Sequence, residues 1–222
     1  MDEWMNVRIS RELRDIIHGY IMSDGHLKKN GVLIIDQSKK QKKFVYWLYK
    51  RLEILRSEHP LGERSRVDKR THSKTYSYTF NTRAVLKGFH HMWYKPVNRN
   101  DRIYYKKILP KNIHCFFSIP FITVWFAGDG TKIIGQKGAK FEVTYYTSEE
   151  RQKLKQLFQQ KFNISTKILR AGQSRTGTIQ WTLSITAAEY DKFRILITQM
   201  DLIPRIFPHK LCKKTKIYNI NV

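Results

Sequence analysis

Two cysteines, Cys115 and Cys212, are too few for a disulfide framework in a chain of 222 residues. They also lack the second pair a structural zinc site needs, and neither His114-Cys115 nor His209 with Cys212 shows CxxC or HxxxH spacing. Reduced thiols are the expectation. No run of about 18 apolar residues occurs, so no membrane-spanning helix is expected. The basic residues are spread among strand-like segments instead of gathered on one amphipathic helix, which argues against a membrane as partner. The start, Met1-Asp2-Glu3-Trp4, is not a basic stretch leading into an apolar one, so the chain is expected to work inside a cell or organelle. A Gly-rich turn between strand and helix is absent too, and with it the case for a Rossmann nucleotide site.

Acidic residues are scarce. Against 42 Lys and Arg stand 18 Asp and Glu, a formal net charge of +24 with a pI near 10.1. That balance fits a polyanion, nucleic acid first, far better than a small metabolite. With 41% apolar residues the chain buries a real core, as one large domain or two smaller ones, and is no disordered basic tail.

What is present is a repeat. Ile17-His18-Gly19-Tyr20-Ile21-Met22-Ser23-Asp24-Gly25 and Ile122-Thr123-Val124-Trp125-Phe126-Ala127-Gly128-Asp129-Gly130 are apolar helical segments ending in Asp-Gly, nearly half the chain apart. After the first come a strand-like Val32–Ile35 and a helical pattern from Lys42 through Arg56, with Phe44, Trp47, Leu48 and Leu52 on one face. After the second come strand-like Phe141–Tyr145 and a helix opened by Thr147-Ser148-Glu149-Glu150, carrying Leu154, Leu157, Phe158 and Phe162. Each half continues with two alternating strands and a helix: 62–69, 75–81 and 83–93 in the first, 166–170, 178–185 and 187–200 in the second. Both halves therefore read αββαββα. The segment 96–117, rich in Lys, Asn, Arg and Pro, reads as a linker between repeats at 1–95 and 118–222. A lysine follows each Asp at similar range, Lys107 after Asp24 and Lys210 after Asp129.

A single Asp-Gly is usually a helix terminus followed by a turn glycine. Two at equivalent repeat positions, each where the helix dipole disfavours an anion, point to a function for the carboxylates. Phosphodiester hydrolysis needs a nucleophilic water, neutralisation of developing charge and a stabilised leaving oxygen, which closely spaced metals supply together. Hard Mg²⁺ takes carboxylate oxygens and keeps several waters, so one Asp from each helix with carbonyls and phosphates is a sufficient set.

The strand pairs are the candidate reading surfaces. A β-ribbon fits the major groove, where Arg, Lys and Gln read base edges. In the first half Arg64, Arg66 and Arg70 share one face, Lys69 and Lys74 sit at the turn, and Thr75, Ser77 and Thr79 alternate with aromatic residues. In the second, Arg170, Gln173, Ser174 and Arg175 occupy the matching turn, and Gln180, Thr182 and Ser184 alternate with Trp181, Leu183 and Ile185. Other residues read as ordinary. Asp129-Gly130-Thr131-Lys132 ends like a restriction-type DxK but lacks a suitably spaced acidic strand residue before it, His90-His91 read as surface or packing, and so does His18.

Taken together, these residues resemble the LAGLIDADG homing endonucleases of the single-chain, two-repeat type, over roughly Ser10 to Leu211. The resemblance implies an α/β (α+β) fold of two pseudo-symmetric repeats forming a saddle over duplex DNA. It implies that Asp24 and Asp129 hold divalent metal, Mg²⁺ with Mn²⁺ as a substitute, and that Ser23 and Gly128 offer backbone carbonyls. Lys107, with Lys106 as the alternative, and Lys210 would polarise water or stabilise the transition state. Gln37 would support the first half-site, with Thr144 nearest the equivalent place in the second. Close contact of the motif helices favours small residues, supplied by Gly19 in the first while Val124 stands in the second. The implied activity is a monomer cutting both strands of a long asymmetric target with short 3′ overhangs, in intron homing, from an organelle-encoded source. The alternatives are a maturase that binds its host intron RNA and a DNA-binding protein without turnover.

Overall fold

Ser10 starts the first motif helix: its Oγ accepts the Leu13 N–H at 3.2 Å and opens α1 (Arg11–Met22). The computed structural model describes residues 8–67 and 70–212, and Lys69 lies outside them. From α1 the chain runs through β1 (His26–Leu27), β2 (Leu33–Ser38), α2 (Lys42–Arg51), β3 (Gly62–Val67), β4 (Lys74–Asn81) and α3 (Lys87–Trp93). Two further strands follow, β5 (Tyr94–Arg99) and β6 (Arg102–Lys107). The second half repeats the order as α4 (Ile119–Asp129), β7 (Gly130–Lys132), β8 (Ala139–Glu142), α5 (Ser148–Phe162), β9 (Thr166–Gln173), β10 (Ile179–Ile185) and α6 (Tyr190–Ile197), and a short α7 (Leu202–Ile206) trails it.

The two halves are built alike. Each has a four-stranded antiparallel sheet, in the order β1-β2-β4-β3 and β7-β8-β10-β9. The αββαββα reading holds in both, with its boundaries trimmed. The helix expected to run to Arg56 ends at Arg51, with Glu53–Leu55 in a single 3₁₀ turn. The one expected from Arg83 starts at Lys87, because Arg83 and Leu86 give their N–H groups to Leu55 and Gly31 across loops. Residues 94–107, most of the expected linker, are no linker in conformation but an antiparallel hairpin. Its turn residues Asn100 and Asp101 both have left-handed backbone, φ 51° and 55°, the geometry that matches strand twist in a two-residue hairpin loop.

The core is one body spanning both halves, centred on α1 and α4. Every residue of α4 from Phe121 to Ala127 is buried, the state expected of a helix apolar on all sides. The two helices run parallel. At one end Ser118, the N-cap of α4, donates to Asp15 at 2.7 Å. In the middle Gly19 lies so close to α4 that a Cβ there would stand 2.4 Å from the Phe121 carbonyl oxygen. At the far end a Cβ on Gly128 would stand 2.6 Å from the Ser23 Cβ. The small residues of the crossing are thus Gly19 and Gly128, and Val124 packs in the core without forming the tightest contact. His18 is a packing residue: it stacks on Phe116 at 3.7 Å and its Nδ1 accepts the Trp93 indole N–H at 2.8 Å. No helix among the described residues is long and apolar enough to cross a membrane.

Because the atom facing Gly19 is backbone, it cannot swing away. Gly19→Ala is expected to lower stability by about 3 kcal/mol, a fall in melting temperature of roughly 6–12 °C for a chain of this size. Gly88→Ala, on α3 with open space around it, is expected to be neutral or to gain up to about 1 kcal/mol. Thermal unfolding of the pair checks this, and a Gly19→Ala protein melting like the parent would refute the crossing.

Candidate active site

Parallel packing carries the two Asp-Gly ends to the same place. Asp24 and Asp129 line one cavity of about 470 Å³ together with Ser23, Lys107, Glu142, Thr144 and Tyr146. Asp24 rests against the end of α4: its Oδ2 would lie 2.9 Å from a Cβ on Gly128. Tyr146, from the second half, donates its hydroxyl to the Met22 sulfur at 3.0 Å and so ties the end of α1 to the opposite repeat.

Helix C-termini leave carbonyls without partners and carry the negative end of the dipole, so a cation there is stabilising. Both helices meet this need with the trailing lysine. Lys107 Nζ donates to the carbonyls of Ile21 at 2.6 Å and of Ser23 and Gly25, each at 3.3 Å. Lys210 Nζ donates to those of Phe126 at 3.0 Å, Ala127 at 2.6 Å and Gly128 at 3.1 Å. An ammonium has three hydrogens, and each lysine spends them on helix-end carbonyls, those of Ser23 and Gly128 included. Lys106 points the other way across β6, with its ammonium 6.0 Å from the Tyr145 ring.

The charges are partly desolvated. Burial first, then the neighbouring Asp24 charge, push the Asp129 carboxyl up to about 7, against the pull of Lys107 and Lys210. Burial also lowers Lys210 to about 8, and lowers Lys107, although both carboxylates oppose it.

Gln37 does not join this site. Alternation along β2 turns Leu33, Ile35 and Gln37 toward the core, where Gln37 Nε2 donates to the Tyr20 hydroxyl at 3.3 Å. The outward polar residue is Asp36, which pairs with Arg66 and lies 3.9 Å from Arg64. Its register counterpart is Glu142: Asp36 stands opposite Thr79, and Glu142 opposite Thr182. Thr144 does line the cavity, donating to Glu142 and accepting the Trp181 N–H at 2.7 Å. Glu142 was legible as an outward residue alternating with apolar Ala139 and Phe141, whereas Asp36 follows three apolar residues, Leu33 to Ile35, and only the burial pattern of β2 sets it outward.

A sequence profile of the LAGLIDADG DNA endonuclease family matches residues 14–193, most of the chain. The chain belongs to that family. Among solved structures, the homing endonuclease I-WcaI bound to its DNA recognition sequence is similar with a TM-score of 0.74 and 17% identity, over 95% of this chain and 90% of its own. I-DmoI in complex with DNA and Mn gives 0.48 and 12%, over 86% of this chain and 98% of its own. The N-terminal LAGLIDADG domain of DUF199/WhiA gives 0.46 and 16%, over 87% and 86%. No curated protein matched. The mixed helix-and-sheet fold of paired LAGLIDADG repeats is thereby shown.

On the two LAGLIDADG sheets, the expected DNA-facing residues are placed unequally. Arg64, Arg66, Thr75, Ser77 and Asp36 line one cavity on the outer face of the first sheet, with Asp24 at its edge. Thr79 shares that face, Lys74 falls on the other beside Tyr76, and Arg70 is exposed in the turn. In the second sheet Arg170 stands opposite Trp181, a ring packed on the core, so it shares the helix side. Gln173, Ser174 and Arg175 are at the turn, where Gln173 donates to the Gly177 carbonyl at 2.8 Å. Gln180 is exposed, but Thr182 and Ser184 are covered, at 5% and 4% exposure. Lys167 and Leu169, which pair with those two, present the accessible side chains instead.

A carboxyl held near 7 when folded, against 3.8 unperturbed, binds its proton more tightly in the folded chain. Its contribution to stability is full below 3.8 and is lost as pH rises through about 7. In chelator, Asp129→Asn is therefore expected to match the parent near pH 4 and to exceed it above pH 7.5, by up to about 4 kcal/mol. Urea unfolding at the two pH values checks this; a difference that does not change with pH would refute the burial of this carboxyl.

Proposed function

We propose that this LAGLIDADG protein is a site-specific double-strand DNA endonuclease. The observation that carries the reading is the meeting of two carboxylates, one from each repeat, in one open cavity between two outward sheet faces. The fold family supplies the coarse frame of a DNA-binding endonuclease. The rest is read from the residues of this chain.

The donor set suits a hard divalent cation. Asp24, Asp129 and Glu142 offer carboxylate oxygens at the cavity, and Asp129, whose carboxyl burial and then the Asp24 charge push up to about 7, has an ionised form that a bound cation would stabilise. Among the described residues no group of three or more His, Cys, Asp or Glu makes an all-protein cage. Water and phosphate oxygens would complete the ligand shell, the arrangement Mg²⁺ prefers and Mn²⁺ accepts. A bound cation supplies Lewis acidity at the scissile phosphate and acidifies water. Asp24 and Asp129 orient that water and the phosphate from opposite repeats. Lys107 and Lys210 lock the carbonyl ends of α1 and α4 and set two positive charges beside the carboxylates.

One carboxylate per repeat means one per strand, so a single chain holds everything needed for a double cut with short 3′ overhangs, as a monomer. Unequal sheet faces, Arg64 and Arg66 against Gln180, Lys167 and Leu169, suit a long target whose halves differ. Intron homing and an organellar setting belong to the same reading.

Selection from a library of long duplexes with Mg²⁺ tests it. The parent is expected to cut one family of sites. Asp24→Asn and Asp129→Asn are each expected to bind that site and lose at least about a thousandfold in cleavage rate, and Lys210→Met at least about a hundredfold. Binding with no metal-dependent cut, or capture of structured RNA alone, would overturn the reading.

A further inference from the structure

The hairpin β5–β6 belongs to neither four-stranded sheet. Its root is fixed: Ile108 N–H bonds the Trp93 carbonyl at 2.8 Å, Tyr94 stacks on His90 at 4.8 Å, and its hydroxyl accepts the Leu27 N–H at 3.3 Å. Beyond the root the ribbon stands alone, although an isolated two-stranded ribbon is only marginally stable in water. Cross-strand register divides it into two faces. On one, Tyr94 opposite Lys107 and Pro96 opposite Tyr105 lead down to His90 and into the Asp24–Asp129 cavity, which Tyr94, Tyr105 and Lys107 line.

The other face is open. Lys95 lies opposite Lys106, Val97 opposite Tyr104, and Arg102 continues it toward the tip. Val97 is 40% and Tyr104 52% exposed, and the one contact seen for this face among the described residues is Lys106 over Tyr145. An apolar pair set between cations, with no carboxylate on that face, matches a sugar-phosphate backbone: ammonium and guanidinium groups for phosphates, a ring and a branched methyl pair for sugars. It does not match the mixed charges of a protein rim.

We propose that β5–β6 is a clamp arm for duplex DNA, whose Lys95–Val97–Arg102–Tyr104–Lys106 face lies along the backbone of the duplex engaged over the Asp24–Asp129 cavity. The proposal rests on the DNA reading of that cavity, because the arm grows from its wall. The arm's backbone is already paired from its root to its two-residue turn, so less of it has to be ordered when DNA arrives.

Fluorescence anisotropy of the full chain with a mixed-sequence duplex of about 40 base pairs, across a salt series in chelator, tests the arm. Three proteins are compared with the parent: Lys95→Gln/Arg102→Gln/Lys106→Gln, Val97→Ser/Tyr104→Ala, and a control, Lys155→Gln/Lys161→Gln/Lys192→Gln, which removes equal charge from α5 and α6 behind the second sheet. The arm triple is expected to reduce the slope of log affinity against log salt by about 2.7, or about 0.9 per lost phosphate contact, and to weaken binding at least tenfold. The apolar double is expected to weaken binding about threefold at unchanged slope, and the control to keep the parent's slope. Equal slopes for the arm triple and the control, with the parent still binding the duplex, would overturn the arm alone. Failure of the parent to bind the duplex would overturn the arm and the endonuclease reading together.

Discussion

Everything at the centre of this molecule depends on how closely α1 and α4 approach. Gly19 leaves the Phe121 carbonyl no room for even a methyl group, and Gly128 does the same against Ser23. Parallel helices at that separation end side by side, so two negative dipole ends and two aspartates share one small volume. The arrangement is electrostatically expensive by itself. It stands because each repeat closes with a lysine whose ammonium reaches back to the helix end it follows.

The lysines explain how a centre of like charges survives without collapsing into a neutral core. Each is partly desolvated, and each is held in its charged form by three carbonyls and the nearby carboxylates. The carboxylates in turn are left short of donors, because the ammonium hydrogens are turned toward the backbone. Burial, and then the Asp24 charge, give Asp129 its tightened hold on a proton. Stability and readiness for a cation are therefore opposed at the same atoms, as expected of a functional centre.

Much of this was legible in the residues. The doubled Asp-Gly, the matching lysines and the αββαββα order rest on local signals: apolar periodicity, the Thr147–Glu150 capping box, which the structure shows complete, and alternation in the strands. What failed did so for physical reasons. Gln37 looked like a site residue because it is polar in an apolar strand, yet period-two geometry turned it inward to satisfy the Tyr20 hydroxyl. Arg170 sounded like a reading residue, but a register shift between Gln180 and Trp181 sets it opposite a packed ring. The hairpin at 94–107 was hidden by Pro96 and by a density of charge that resembles a linker, although the Asn100-Asp101 turn between alternating residues was its signal. Lys107, preferred over Lys106 from the sequence, is the one whose side of β6 brings its ammonium to the end of α1.

The stretch that joins the repeats also sets a physical condition on the whole centre. Its Leu109 N–H is held at 2.8 Å by Glu150, the same side chain that caps α5, and Lys107 within it caps α1, so the connection is pinned to both halves. Two separate chains would have to find each other, and the fraction assembled would fall with dilution. Here the encounter is already made, at an effective concentration fixed by a short tether. Dilution therefore cannot separate the two carboxylates, because the chain that carries one carries the other.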